Sequence, residues 1–330
     1  TVDCFAQAMG AQRVGVTVTN ALGEKSAAAY ARLGELAIIE MAAAAGLPQV
    51  GALRCPGTAT TYGVGELIAH AVDSGCRKIL LGLGGSATND GGCGCAAALG
   101  VGFLDADGQS FVPVGDTLGR IARIDTAEAE VLLRSVEITV MCDVTNPLYG
   151  PTGAAYVFAP QKGADAEKVK SLDAGLRHFG DVIRSQYGLD VGAMPGAGAA
   201  GGMGAGCVAL LGGTIQSGID AVLDVTGFDR QLEGADLVIT GEGRIDSQSA
   251  DGKVISGVAR RTRAKGVPLI AIAGGIADSA GAVYDIGVSA MFSTDRAALP
   301  VDMLGARSPG DYEATLSDIM SLIAIAERFA

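Results

Sequence analysis

Short apolar runs alternate with segments of helical periodicity along the chain. Val14–Val18, Leu36–Glu40, Lys78–Gly82 and Val136–Asp143 have the length and composition of strands. Between them Leu67, Ile68, Ala71 and Val72 recur at i, i+1, i+4 and i+5, which predicts a helix over Gly65–Ser74 capped by Gly75. Further helices are predicted at Cys93–Leu99 and Ala166–Tyr187. The texture changes at Pro195–Gly206 (PGAGAAGGMGAG), which reads as a hinge or a close-packed turn. Beyond it lie strands at Asp236–Thr240, Pro268–Ala273 and Ala290–Ser293, with a helix at Val254–Lys265 between the first two. A final helix is expected over Asp311–Phe329. Such alternation predicts an α/β fold with a largely parallel sheet.

A length of 330 residues is comfortable for two domains. The longest apolar runs, Lys78–Gly82 and Val267–Ala273, are strand-sized, far short of the ~18–20 residues of a membrane span. With no signal-peptide pattern at the start, the chain reads as cytoplasmic, with no membrane partner. Its formal charge of −12 argues against nucleic acid but leaves room for a small anion held by a few local cations and backbone N–H groups. Seven cysteines in no regular framework suit a reducing compartment, and the close pair Cys93 and Cys95 reads as small buried side chains. His70 and His178 both lie in helical segments away from suitable partners, which excludes a Ser-His-Asp triad and a His-rich zinc site. Any chemistry therefore falls to Asp, Glu, Asn, Ser, Lys, Arg and backbone amides.

Three loops carry those groups. Gly82–Gly92 (GLGGSATNDGG) directly follows a buried strand, and its glycines allow the backbone to approach a phosphate or carboxylate closely. Gly84, Gly85, Ser86, Thr88 and Asn89 are its candidate binding residues, and Asp90 a candidate for Mg²⁺ or for accepting a proton. A dinucleotide reading stays open as well: Gly82, Gly84 and Ala87 fit G-x-G-x-x-[GA], and Asp105 and Asp107 lie about 20 residues on. Against it, Thr88–Gly92 interrupts the helix that this fingerprint requires, and Asp105–Gly108 has the composition of a turn.

The second cluster runs from Cys142–Gly150 (CDVTNPLYG) to Phe158–Gly163 (FAPQKG). Asp143 stands at a strand end, Pro147 pushes Asn146 toward an extended backbone, and Lys162 beside Gln161 suits an anionic oxygen. The third is Thr240–Ser249 (TGEGRIDSQS) with Gly252 and Lys253, where the carboxylates Glu242 and Asp246 lie near the cations Arg244 and Lys253. It is no Walker A motif, because Val254 stands where Ser or Thr should follow Gly-Lys. Phosphoryl transfer needs positioning, Mg²⁺ on carboxylates, and cations or amides on phosphoryl oxygens, and these loops contain each part.

Taken in order, the stretches GLGGSATNDGG at 82–92, CDVTNPLYGPTGAAYVFAPQKGA at 142–164, PGAGAAGGMGA at 195–205 and TGEGRIDSQSADGK at 240–253 resemble the bacterial glycerate kinase family, type 1. Weaker similarity covers Val16–Gly46 and Thr61–Glu66, so the resemblance spans nearly the whole chain. It implies a cytoplasmic, ATP- and Mg²⁺-dependent enzyme that phosphorylates D-glycerate, giving 2-phosphoglycerate, as a monomer or homodimer. It also implies two domains: a Rossmann-like three-layer domain from residues 1–11 and 213–330, with a second α/β domain, residues 12–212, inserted into it. The family starts some tens of residues earlier, with PDSFKGS-like and ADGGEGT-like loops. The match here begins at Thr1-Val2-Asp3, so the expected chain is truncated and lacks the opening strands of the Rossmann-like domain.

In the mechanism so assembled, Gly84–Ser86 and Lys162 hold phosphates or the glycerate carboxylate. Thr88, Asn89, Arg244 and Lys253 bind the nucleotide, and Asn146, Gln161 and Gln248 contact the acid. Asp90 and Glu242 hold Mg²⁺, while Asp143 or Asp246 orients the hydroxyl and takes its proton. Two alternatives are a nicotinamide-dependent hydroxy-acid dehydrogenase and an inactive glycerate- or nucleotide-binding relative.

Overall fold

The structure, a computed structural model, describes residues 2–299, 301–305, 307–326 and 328. It divides after Gly218 into two compact units.

The first unit is built on six strands: β1 (Gln12–Thr19), β2 (Lys25–Leu33), β3 (Leu36–Glu40), β4 (Lys78–Gly82), β7 (Glu137–Met141) and β8 (Thr214–Gln216), in the order β1-β2-β3-β4-β7-β8. The strands β5 (Gly102–Leu104) and β6 (Arg123–Asp125) form a separate antiparallel pair. The main sheet is mixed. β1-β2-β3 is an antiparallel meander and β3, β4, β7 and β8 run parallel, where the sequence suggested a largely parallel sheet. The difference is β2, whose Ala-rich KSAAAYARL gives no clear strand signal. It is paired to β1 through a turn in which Asn20 Oδ1 accepts from the N–H groups of Leu22 and Glu24.

Strand alternation then places the core. Ala37 and Ile39, Ile79 and Leu81, and Ile138 and Val140 face one side of the sheet, where the helices Tyr62–Asp73, Cys93–Ala98 and Ala199–Leu211 bury Leu67, Ile68, Cys95 and Met203. The first of these helices starts three residues before its expected position, and Gly75 follows it with φ +94° as predicted for a C-terminal cap. Gly65 is needed in contact rather than in conformation: a Cβ there would lie 2.3 Å from the Cys95 carbonyl oxygen. The helix Val2–Met9, which the sequence pattern did not indicate, packs on β1–β3 with Val2 and Phe5 buried.

The second unit is a three-stranded parallel sheet in the order β11-β10-β9, formed by β9 (Val238–Ile245), β10 (Leu269–Ile276) and β11 (Ala290–Ser293). Successive β10 residues serve opposite faces. Leu269, Ala271 and Ala273 pack with Ile255, Val258 and Ala259 of the helix Val254–Lys265, and Ile270 and Ile272 pack with Ile319 of the helix Ser308–Ala326. The result is helix on both sides of the sheet, as an α/β layer arrangement requires. Of the expected C-terminal helix, Phe329 lies outside the described residues, as does Thr1 of the expected domain 1–11. Among the described residues no helix is long and apolar enough to cross a membrane.

Candidate active site

Three adjacent parallel strands end together. Glu40 pairs with Gly82 and Gly82 with Met141, so the segments leaving β3, β4 and β7 emerge at the same edge of the first unit's sheet. That edge is where parallel α/β sheets hold ligands. A cavity of about 490 Å³ lies there, walled by Leu47 after β3, Gly84–Ser86 after β4, and Cys142, Asp143 and Val144 after β7. Leu83, Met141, Phe158, Gln161, Lys162, Ala199 and Ala200 complete the lining. Six of the residues singled out by sequence thus meet in one pocket: Gly84, Gly85, Ser86, Asp143, Gln161 and Lys162.

Lys162 dominates its electrostatics. The side chain is 2% exposed, and its Nζ donates to Ser86 Oγ at 2.8 Å and to the Thr88 carbonyl at 2.7 Å. Burial drives its pKa down to about 7, against the opposing field of Asp90. The short turn Pro160–Lys162 that carries it ends at Gly163, φ +98°, and is braced by Arg54, whose guanidinium donates to the Gln161 carbonyl at 3.1 Å. Gly163 lies so near Arg54 that a Cβ would sit 2.8 Å from the Arg54 carbonyl oxygen. Arg54 therefore positions the lysine from outside the motifs, and nothing in its sequence surroundings points to that.

Asp90 is fully buried, and its carboxylate accepts from Thr61 N–H and Oγ1, both at 2.8 Å, and from the N–H groups of Gly92 and Gly94 at 3.1 and 3.3 Å. Burial holds its carboxyl above the usual range despite those donors. Four donors already surround the oxygens that a cation would need, so Asp90 does not fit the metal role expected of it; it ties the glycine-rich loop to Thr61. Thr88 and Asn89 lie beneath the pocket wall, fully buried, with Thr88 Oγ1 and both Asn89 amide atoms lacking a protein hydrogen-bond partner. Asn146 also does not line the pocket. Its side-chain amide donates to the Thr152 carbonyl at 2.8 Å and its own carbonyl accepts from Gly198 N–H at 3.0 Å, so it braces the loop after β7. Asp143, exposed at the pocket, receives Gly218 N–H on Oδ1 at 2.7 Å.

Ala199 and Ala200 were missed by the sequence reading. The segment 195–206 is not a hinge: the helix Ala199–Leu211 begins inside it, with Ala200, Gly201 and Gly202 at φ +54°, +71° and +92°. Among the described residues Ala200 is the one non-glycine with positive φ, a strained conformation at the pocket lining.

The remaining candidates stand in the second unit. β9 runs on to Ile245, so Glu242 and Arg244 belong to the strand itself. The buried Ser249 ties the Glu242 side chain to the backbone of Asp246: its hydroxyl donates to Glu242 Oε1, and its Oγ accepts the Asp246 backbone N–H at 3.1 Å. Asp246 caps the turn Ser247–Ala250 by accepting Gln248 N–H at 2.9 Å, and Lys253 Nζ donates to Gln248 Oε1 at 3.2 Å. Arg244 and Lys253 are exposed. Among the described residues no three or more His, Cys, Asp or Glu side chains gather as a metal site.

The dinucleotide fingerprint does not survive this geometry. Gly82 is the last residue of β4, and the next helix begins only at Cys93 and lasts six residues, so no helix N-terminus faces the would-be pyrophosphate turn. Asp105 Oδ1 accepts from Asp107 and Gln109 N–H and its Oδ2 pairs with Arg120, an ordinary turn. Cys93 and Cys95 are buried free thiols pushed well above their ordinary pKa by burial, small core residues as expected.

The profile of the glycerate kinase family matches residues 1–324. The chain belongs to the glycerate kinase family. It is 44% identical over 331 residues to a glycerate kinase of Bacillus cereus, covering 99% of this chain and 87% of that one. With a glycerate 2-kinase of Escherichia coli the identity is 45% over 297 residues, covering 89% and 78%. A solved structure assigned to glycerate kinase 2 of Salmonella typhimurium LT2 superimposes with a TM-score of 0.86 at 39% identity, over 99% of this chain and 87% of that one. The glycerate kinase family chain is thus a phosphotransferase, and the dehydrogenase and inactive-relative readings find no support.

Proposed function

We propose that the chain transfers the γ-phosphoryl group of MgATP to the 2-hydroxyl of D-glycerate in the cytoplasm. The family supports the reaction class. The observation that carries the reading is the enclosed Lys162–Ser86 pair in a pocket formed where three parallel strands end. In the reaction the glycerate hydroxyl oxygen bonds to the γ-phosphorus, the bond from that phosphorus to the β–γ bridging oxygen breaks, and ADP departs.

Residue roles follow from chemistry and position. Lys162 and the amides of Gly84–Ser86 hold an anionic oxygen. Asp143, exposed at the same pocket, or Asp246 takes the hydroxyl proton. Arg244 and Lys253 hold phosphate oxygens, and Gln161 and Gln248 contact substrate. Of the carboxylates expected to bind Mg²⁺, Asp90 with its four donors does not fit, and Glu242, which accepts from Ser249 on Oε1, would hold the cation; Mg²⁺ bound with a nucleotide needs only one or two protein carboxylates. When bound, the cation would neutralise charge on the phosphates. Thr88 and Asn89 we now place as polar groups beneath the binding loop rather than as nucleotide contacts.

For the domain organisation we keep the reading of residues 12–212 as a unit inserted into a Rossmann-like domain of 1–11 and 213–330. The parallel β11-β10-β9 sheet supports it, while Val2–Met9 and β8 pack with the first unit. The functional reading is tested by a coupled assay of ADP release. MgATP with D-glycerate should give ADP well above MgATP alone; equal release with and without the acid would refute it.

A further inference from the structure

Lys162 offers three N–H donors. Two end on Ser86 Oγ and the Thr88 carbonyl, and both contacts lie on one loop. The third has no acceptor among the described residues, although the ammonium is almost fully enclosed and lines the cavity. Leaving a buried ammonium donor unmatched costs free energy, and a ligand oxygen would relieve it. Lys162 is also the one cation in the lining, where the other side chains are mostly apolar: Leu47, Leu83, Met141, Phe158 and two alanines. That one enclosed positive charge shares the lining with a single acid, Asp143, so the pocket neutralises a monoanion at most. A triphosphate carries several negative charges and needs more cations than this pocket supplies.

We infer that the first unit's pocket is the acid subsite, in which Lys162 binds the carboxylate of the hydroxy acid through its third N–H and so selects for a charged C1 group. This rests on the kinase reading and assigns one of its two substrates to one set of residues. The apolar lining accommodates a three-carbon skeleton, and Asp143 in the same wall is within the lining for an α-hydroxyl.

A consequence is proton uptake. Because burial brings the free lysine to a pKa of about 7, much of it is neutral above that pH, and a carboxylate can bind only the protonated form. The titratable groups that face it are Asp90, whose field favours the charged lysine, and Asp143 and Cys142 in the pocket wall. Cys142 is pushed up by burial and stays a neutral thiol.

The test is calorimetric titration of the full chain with D-glycerate, without nucleotide, at pH 6.5 and 8.5 in two buffers of different ionisation heat. Kd should rise about tenfold per pH unit above pH ~7, with uptake approaching one proton per site at pH 8.5. Glycerol and glyceramide, which lack the charge, should bind about 10- to 100-fold more weakly. Lys162→Met should abolish the proton uptake and raise the KM for D-glycerate while leaving that for MgATP within about twofold. PH-independent binding without proton uptake by the unaltered chain would overturn the inference, whether or not the variant folds. So would a variant with unchanged glycerate KM and raised MgATP KM, which would give Lys162 to the phosphates. If D-glycerate neither binds nor is phosphorylated, the kinase reading itself falls, and the inference with it.

Discussion

A lysine ammonium with almost no solvent exposure is uncommon, and Lys162 shows what such a group does to the protein around it. Below about pH 7 it is charged in folded and unfolded chains alike. Between there and its ordinary value of 10.5 the unfolded chain holds the proton and the folded chain does not, so the stability of the first unit rises with pH through this window. Lys162→Met removes that dependence. The unfolding free energy of the unaltered protein relative to that of the variant should therefore rise by about 1.4 kcal/mol per pH unit above pH ~7, measured by denaturant titration at pH 7.5 and 8.5. Parallel pH profiles would show that the lysine keeps its charge. The carboxylates make a second prediction at this scale. Whichever of Asp143 and Asp246 is the base, its Asn variant should lower kcat by ~10²–10⁴, and near-normal turnover in both would remove them from the scheme.

At the scale of elements, the strands and helices with strong periodicity were legible. Leu36–Glu40, Lys78–Gly82, Ala166–Tyr187, Val254–Lys265 and Ala290–Ser293 occur with the boundaries read from their patterns. What was not legible is where packing overrides local preference. PGAGAAGGMGAG reads as flexible, yet after a left-handed kink at Ala200–Gly202 the chain is helical to Leu211, and glycines of both the kink and the helix lie directly on other backbone. A Cβ on Gly201 would come within 2.1 Å of the Thr88 carbonyl oxygen, and one on Gly206 within 2.2 Å of that of Gly91. The helix start thus packs against the same loop that holds Lys162. Gly201→Ala should cost about 3 kcal/mol from clash and left-handed strain together, seen as a lowered Tm. Gly212→Ala, at φ +65° with nothing within 4 Å, should cost only about 1 kcal/mol. Equal losses would mean that contact with the binding loop contributes little.

For the whole molecule, the motif residues of the first unit gather at one sheet edge, but the surroundings of some differ from those their motifs implied. The loops after β4 and β7 meet because β3, β4 and β7 end in register, a fact of sheet topology that no local pattern states. Asp90 and Asn146 sit inside the strongest motifs and serve their loops structurally, since an acid or amide that the backbone saturates has little left for a ligand. Arg54 acts on the pocket from a segment with no motif at all. A net charge of −12 leaves anionic ligands to local cations such as the enclosed Lys162. The most direct measurement of the central claim is a ³¹P spectrum of the chain incubated with MgATP and D-glycerate. A new phosphomonoester resonance, split into a doublet by the single proton on C2, is the predicted result. Absence of any glycerate-dependent resonance would contradict the kinase assignment, and a triplet would move the transfer to the 3-hydroxyl.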